Sequence, residues 1–91
     1  MNIFEKTEQP FEMVELGELK PLVIYENTEP DVINLKKDIL ANGMMHPLEV
    51  DGETMRIAQG NERYLILKEM QITEVPVRFT TTIAMRDRPQ T

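Results

Sequence analysis

The sequence contains no cysteine and no tryptophan, and it has a single histidine among its 91 residues. The absence of cysteine excludes disulfides and thiolate metal sites. No apolar run approaches the roughly 20 residues that span a bilayer, and the first residues lack the basic and then apolar pattern of a signal peptide. We therefore expect one small domain with a single modest core, a cytoplasmic location and no membrane partner.

Basic residues are scarce at the front of the chain. Residues 1–31 hold eight Asp and Glu against two Lys, whereas residues 32–91 hold eight acidic and eight basic residues, and the net charge is −6. Non-specific affinity for nucleic acid comes largely from Lys and Arg, so we predict weak or no direct DNA binding. The balanced charge of residues 32–91 is compatible with binding a nucleotide.

The pattern of polar and apolar residues divides the chain into three parts. Residues 1–10 are polar and unpatterned, which predicts a flexible or loosely packed lead-in. The domain is predicted over residues 11–79; it begins with a strand over 11–16 and an apolar run over 22–25, which is a strand or a buried extended segment. Residues 80–91 have little apolar content and are predicted to form a C-terminal tail or a partner-binding segment.

The first helix has clear start and stop signals. Apolar residues recur at helical spacing over residues 32–40. Thr28 is the predicted cap, Pro30 suits the first turn, and Gly43 ends the helix after Asn42. The sequence therefore predicts an amphipathic helix that packs one face on the core.

A hairpin and a second helix follow. Two strands, over residues 47–50 and 54–58, are predicted to join at a tight turn of Asp51 and Gly52, a pair that tolerates positive φ angles. Residues 61–70 form a second helix with apolar residues around most of its circumference, which predicts burial.

A closing strand is predicted over residues 75–79. Pro76 within it indicates an edge strand, or a position whose N–H is unused. Gln71 stands where similar domains often have a glycine that ends the second helix, so Gln71 must itself adopt a left-handed conformation or the helix must end another way. Together these elements predict an α+β fold, a small mixed sheet packed with two main helices.

The junction between the second predicted hairpin strand and the second helix has the pattern of an anion site. The first N–H groups of a helix have no partner within it, and the peptide dipoles place partial positive charge there. Gly60 allows a sharp turn and close approach of a ligand, and Arg63 adds a planar fork of donors. Glu62 has the alternative role of stabilising the first turn, with Asn61 or Gly60 as the cap.

The order of these pieces resembles the ParB N-terminal domain and sulfiredoxin superfamily. Its pattern is a helix, Gly-x-x-x-Pro leading into a strand, a short hairpin, a strand ending in Gly-x-x-Arg, a second helix and a Val-Pro-Val strand. Residues 29–79 contain each piece in that order, including Gly43-Met44-Met45-His46-Pro47, Gly60-Asn61-Glu62-Arg63 and Val75-Pro76-Val77.

The resemblance implies a ligand and a site. A nucleoside triphosphate or diphosphate would lie across the start of the second helix, with Gly60, Asn61, Glu62 and Arg63 as the phosphate-binding residues. The turn formed by Gly43, Met44, Met45, His46 and Pro47 would line the pocket. A Mg²⁺ ion accompanying the nucleotide would offset the charge of Glu62.

Three positions depart from the family pattern. Asn61 stands where the sulfiredoxin reaction needs a cysteine, so that reductase activity is excluded. Glu62 places an acid where related motifs have a basic or neutral donor, and a carboxylate beside a phosphate is repelled unless a cation intervenes. Asp31 occupies the place of a lysine that sulfiredoxins carry near the start of the first helix.

The pocket turn also has a structural interpretation. His46 is favoured as a loop residue held extended by Pro47, since a lone histidine is a poor metal site and acid–base chemistry needs a partner. Met44 and Met45 are favoured as packing residues. We assign no metal ligand and no catalytic residue.

The predicted function is nucleotide binding, accessory to DNA metabolism or partition in a bacterium, phage or plasmid, with slow triphosphate hydrolysis if the domain is an enzyme. The alternative is a catalytically silent copy of the fold that binds a protein, for example one of DNA metabolism. A nuclease is less favoured, because no carboxylates or histidines cluster at metal-ligand spacing. The resemblance also allows a homodimer.

Overall fold

Five strands form one mixed sheet with two helices in the computed structural model, which describes residues 2–80. The tail was predicted over residues 80–91, and residues 81–91 lie outside the described part of the chain. The elements in chain order are β1 (Glu12–Glu15), a 3-10 turn (Leu16–Glu18), β2 (Lys20–Pro21), α1 (Pro30–Asn42), β3 (Leu48–Asp51), β4 (Arg56–Gln59), α2 (Asn61–Glu69) and β5 (Glu74–Thr80). No helix among residues 2–80 is long and apolar enough to cross a bilayer.

The order of strands across the sheet is β1-β5-β3-β4-β2. β5 pairs antiparallel with β1 and parallel with β3, β3 pairs antiparallel with β4, and β4 pairs parallel with β2. This mixed sheet with two helices is the predicted α+β architecture, which the structure confirms.

One face of the sheet packs against the helices. Leu48 and Val50 of β3 are fully buried, whereas Glu49 and Asp51 between and after them are partly exposed. The other elements add buried residues to the same core: Val32 and Ile39 of α1, Ile57 of β4, Ile66 and Leu67 of α2, and Val75 and Val77 of β5. Since fully burying one such side chain contributes about 1.5–3 kcal/mol, this cluster supplies much of the stability of the domain.

Helix α1 matches its predicted end but not its predicted cap. Gly43 has φ 84° and its N–H donates to the carbonyl of Ile39, which closes the last turn. At the other end Pro30 occupies the first turn as predicted, but the N-cap residue is Glu29. The side chain of Glu29 accepts from the N–H of Glu26, so an acidic residue closes the turn before the helix and the prediction of a Thr28 cap was wrong.

Helix α2 ends on a non-glycine residue in the left-handed region. Gln71 has φ 61°. Its N–H donates to the carbonyl of Lys68, and the N–H of Ile72 donates to that of Leu67. These two bonds form a Schellman motif, in which glycine is the usual residue at the position of Gln71.

The apolar run over residues 22–25 was wrongly predicted as a strand or a buried segment. Strand β2 ends before it, at Pro21, and Leu22, Val23 and Ile24 are 53%, 46% and 76% exposed. Apolar composition alone did not distinguish a buried strand from an exposed loop, because the outcome depends on what packs against it.

The hairpin turn differs from the prediction. For Pro76 the alternative of an edge strand was wrong, and the alternative of a position whose N–H is unused stays a prediction. The loop between β3 and β4 is closed by the Met55 N–H donating to the carbonyl of Asp51, and Met55 (φ 64°) carries the positive φ in place of Asp51 and Gly52. β5 lies between β1 and β3, so Pro76 is not on an edge strand. Pairing of β5 with β3 begins only at Val77, so Pro76 precedes that register.

The start of the chain packs more closely than its sequence indicated. Ile3 is buried in the core, and its carbonyl accepts from the N–H of Met44. Thr7 is also buried, and its hydroxyl donates to the carbonyl of Met44 at 2.5 Å. Residues 2–10 therefore run against the turn that leads into β3.

Candidate functional site

The topology of the sheet brings the two predicted halves of the site together. Because β3 and β4 are antiparallel, the start of β3 lies beside the end of β4, and Glu49 pairs with Gln59. Helix α2 begins directly after β4, with Gly60 as its N-cap residue. The turn that ends at Pro47 and the first turn of α2 therefore meet at one end of the sheet.

Gly60 is required by the backbone at this junction. Its φ is 106°, and a Cβ placed there would lie 2.5 Å from Leu48 Cδ2. The glycine therefore allows both the turn into α2 and the close packing of β4 against β3, independently of any ligand.

A cleft of about 260 Å³ opens at this end of the sheet. Its lining comes from the turn before β3, from β3, β4 and β5, and from the first turn of α2: His46, Pro47, Glu49, Gln59, Arg63 and Arg78. We refer to these six residues as the arginine cleft. Arg78 and Gln59 flank Glu49 on the neighbouring strands, so these three positions form a row across the sheet.

Neither arginine of the cleft forms an ion pair with a carboxylate of residues 2–80. Among residues 2–80 the ion pairs within 4.0 Å are Lys36 with Glu69 and His46 with Glu8, and neither includes Arg63 or Arg78. Arg78 donates through Nε to the carbonyl of Pro10 at 3.3 Å, which leaves the rest of its guanidinium group available. Two guanidinium groups and one carboxylate, Glu49, thus line the cleft, and the resulting excess of positive charge suits an anion.

His46 has the partner that sequence was unable to place. Its Nδ1 lies 3.2 Å from Oε1 of Glu8, with both side chains more than half exposed. The backbone reinforces this contact, because the N–H of Glu8 donates to the carbonyl of Met45 at 2.8 Å. The acidic residue therefore comes from the segment preceding β1 and lies at the rim of the cleft.

Asn61 has a structural role that the sequence did not reveal. Its Oδ1 accepts from the N–H groups of Leu22 and Val23 at 2.8 and 3.3 Å. Its Nδ2 donates to the carbonyl of Ile57 at 3.3 Å. The Asn61 side chain thus holds the exposed apolar loop, residues 22–24, to the start of α2 by hydrogen bonds.

Three of the nine predicted site residues line the cleft: His46, Pro47 and Arg63. Gly60, Asn61 and Glu62 belong to the same junction but do not line it, and Met44 is buried in the core. Gly43 packs against the carbonyl of Ile3, and Met45 is exposed. The role of these residues in phosphate binding stays a prediction.

Sequence reasoning missed Glu49, Gln59 and Arg78, which meet the predicted residues only through strand register. The alternation Leu48-Glu49-Val50 was the signal available for Glu49, since it places that residue on the face opposite the core. Among residues 2–80 no group of three or more His, Asp or Glu is placed to hold a metal ion.

No known family model matches the sequence, and neither does any curated protein. Solved structures do match. A Pnob8-like ParB-N domain aligns with TM-score 0.64 and 19% identity over 87% of this chain. The chain has a ParB/sulfiredoxin-like fold.

Two further matches are a free serine kinase in complex with AMP and a mutant of that kinase, also with AMP. Their TM-scores are 0.66 and 0.68, each at 19% identity over 86% of this chain. The chain spans about a third of the length of these structures, with 32% of the ParB-N chain and 34% of each kinase chain covered. At this identity the likeness establishes the fold.

Proposed function

We propose that this domain binds a nucleotide through its phosphate groups in the arginine cleft. The observation that carries the proposal is Arg63, which lies in the first turn of α2, lines the cleft and has no carboxylate within 4.0 Å among residues 2–80. Its guanidinium group brings a permanent positive charge to the cleft.

The surroundings of Arg63 support an anionic ligand. Arg78 adds a second cation from β5, and His46 adds its second ring nitrogen, Nε2, since Nδ1 contacts Glu8. Gln59 adds an amide that both donates and accepts hydrogen bonds. These groups come from the sheet, from α2 and from the turn before β3, and all of them line the same cleft.

The two acidic departures from the family pattern weigh less than the sequence indicated. Glu62 follows Asn61 in the first turn of α2 but does not line the cleft. Asp31 is exposed in the first turn of α1 and does not line it either. Neither carboxylate lines the cleft, so Mg²⁺ enters the proposal as a companion of the triphosphate itself.

The fold supports the same ligand class, since two of the matching structures hold AMP. From the resemblance to ParB domains we further propose a role accessory to DNA metabolism or partition in a bacterium, phage or plasmid, with slow triphosphate hydrolysis. Measuring phosphate release from samples that bind nucleotide tests the proposed triphosphate hydrolysis.

A second candidate is a protein-interaction module without catalysis. The exposed loop Leu22-Val23-Ile24 favours it, because three consecutive apolar side chains in water are typical of an interaction surface. Arg63→Ala separates the two functions. It abolishes nucleotide binding under the first proposal and leaves the binding of a protein partner unchanged under the second.

The experiment for the first proposal is a thermal-shift screen against ATP, CTP, GTP, their diphosphates and inorganic phosphate, each with and without Mg²⁺. A ligand at 100 times its dissociation constant stabilises by about 2.7 kcal/mol. In a domain of this size that raises Tm by about 10 °C or more. A rise that Arg63→Ala removes supports the proposal, and no rise at millimolar nucleotide contradicts it.

A further inference from the structure

Glu49 is the single carboxylate among the residues lining the arginine cleft. It lies at the centre of the row across the sheet, paired in register with Arg78 on β5 and with Gln59 on β4. It makes no ion pair within 4.0 Å among residues 2–80. Its carboxylate therefore keeps its hydrogen-bonding capacity for a ligand.

A bare phosphate is a poor match to this arrangement. Its charge is attracted to Arg63 and Arg78 but repelled by Glu49, which lines the same cleft. An ionised carboxylate only accepts hydrogen bonds, whereas the Gln59 amide next to it both accepts and donates. The complementary ligand is an anion that also presents hydroxyl donors a short distance from its phosphate.

We propose that Glu49 and Gln59 bind the ribose hydroxyls of the nucleotide, so that the site selects ribonucleotides over sugar forms without hydroxyls. This inference rests on the proposed function, which places the phosphate groups at Arg63. Carboxylates bind ribose hydroxyls in the same way in other nucleotide-binding folds.

The dimensions of the cleft agree with this assignment. Neighbouring strands lie about 4.8 Å apart, so the row from Gln59 through Glu49 to Arg78 spans roughly 10 Å. Arg63 lies outside that row, in the first turn of α2, and follows Gln59 by four residues in the sequence. The same cleft therefore combines a cation for phosphate, acceptors for a sugar and a second arginine.

Calorimetric titration with two ligands provides the test: the ribonucleoside triphosphate among ATP, CTP and GTP that gives the largest thermal shift, and its 2′,3′-dideoxy counterpart. A hydrogen bond to a charged group is strong enough that the wild-type protein should bind the ribose form about tenfold or more tightly. Glu49→Val, which keeps a strand-forming residue but removes the acceptor, should bring the two affinities to within about twofold.

Glu74→Val is the matched control, because Glu74 is an exposed carboxylate on β5 that does not line the cleft. It should keep the wild-type preference. Glu49→Gln, which preserves the shape of the side chain, should bind inorganic phosphate more tightly than the wild type does.

Each outcome decides between the two proposals. Equal affinity of the wild-type protein for the ribose and dideoxy forms overturns the sugar assignment and leaves the proposed function standing. A preference that persists in Glu49→Val overturns it as well. Absence of binding by every nucleotide at millimolar concentration overturns the proposed function, and this inference with it.

Discussion

Replacing Gly60 with alanine tests how the junction before α2 is built. Gly60 has φ 106° and ψ 20°. An added Cβ would lie 2.5 Å from Leu48 Cδ2 and 3.5 Å from Leu48 Cα. Leu48 is fully buried, so any shift of its side chain takes place within the core.

Two costs add in this variant. A side chain in the left-handed region costs about 1–2 kcal/mol. Overpacking a well-filled core costs about 1–3 kcal/mol more. We therefore expect Gly60→Ala to lower the free energy of unfolding by about 2–5 kcal/mol, a large share of the 5–15 kcal/mol typical of a small domain.

Urea denaturation followed by circular dichroism measures this change, and Gly17→Ala is the control. A Cβ at Gly17 meets nothing within 4 Å, and its φ is not positive. The control should stay within about 0.5 kcal/mol of the wild type. Equal stability of the two variants would refute the reasoning, because it would mean that Leu48 does not pack against Gly60.

Two further predictions concern the ends of α2. Asn61→Ala removes the acceptor for two loop N–H groups and should lower the free energy of unfolding, measured by urea denaturation, by about 1–2 kcal/mol. The control Asn34→Ala, at an exposed position of α1, should lower it by less than about 0.5 kcal/mol. Equal losses in the two variants would show that Asn61 does not hold the loop. Gln71→Gly should raise the free energy of unfolding by about 0.5–1 kcal/mol, because glycine adopts φ 61° without strain. A loss of stability in the same assay would contradict the inference that Gln71 is strained at the end of α2.

The sequence predicted elements whose signals are local. Pro30 and Gly43 marked the ends of α1 because the first is compatible with a helix start and the second with a positive φ at its end. For Gln71 the prediction left two outcomes open, a left-handed conformation or another end of the helix, and the structure has φ 61° there. Together with the order of motifs, these signals were sufficient for the fold.

What the sequence did not predict depends on contacts between distant residues. Leu22, Val23 and Ile24 read as a buried segment by composition, yet nothing in the described chain covers them enough to bury them. Arg78 lies at the candidate site because β5 pairs with β3. No local sequence pattern predicts the strand order β1-β5-β3-β4-β2.

Calorimetric titration of the nucleotide selected by the thermal-shift screen is the most direct test of phosphate binding in the arginine cleft. The comparison is between the wild-type protein, Arg63→Ala and Arg56→Ala, an exposed arginine on β4 that does not line the cleft. Losing one charge-assisted contact should weaken binding by Arg63→Ala about 10- to 100-fold and leave Arg56→Ala near the wild type. Equal weakening in both variants, or none in either, would contradict a phosphate site at Arg63.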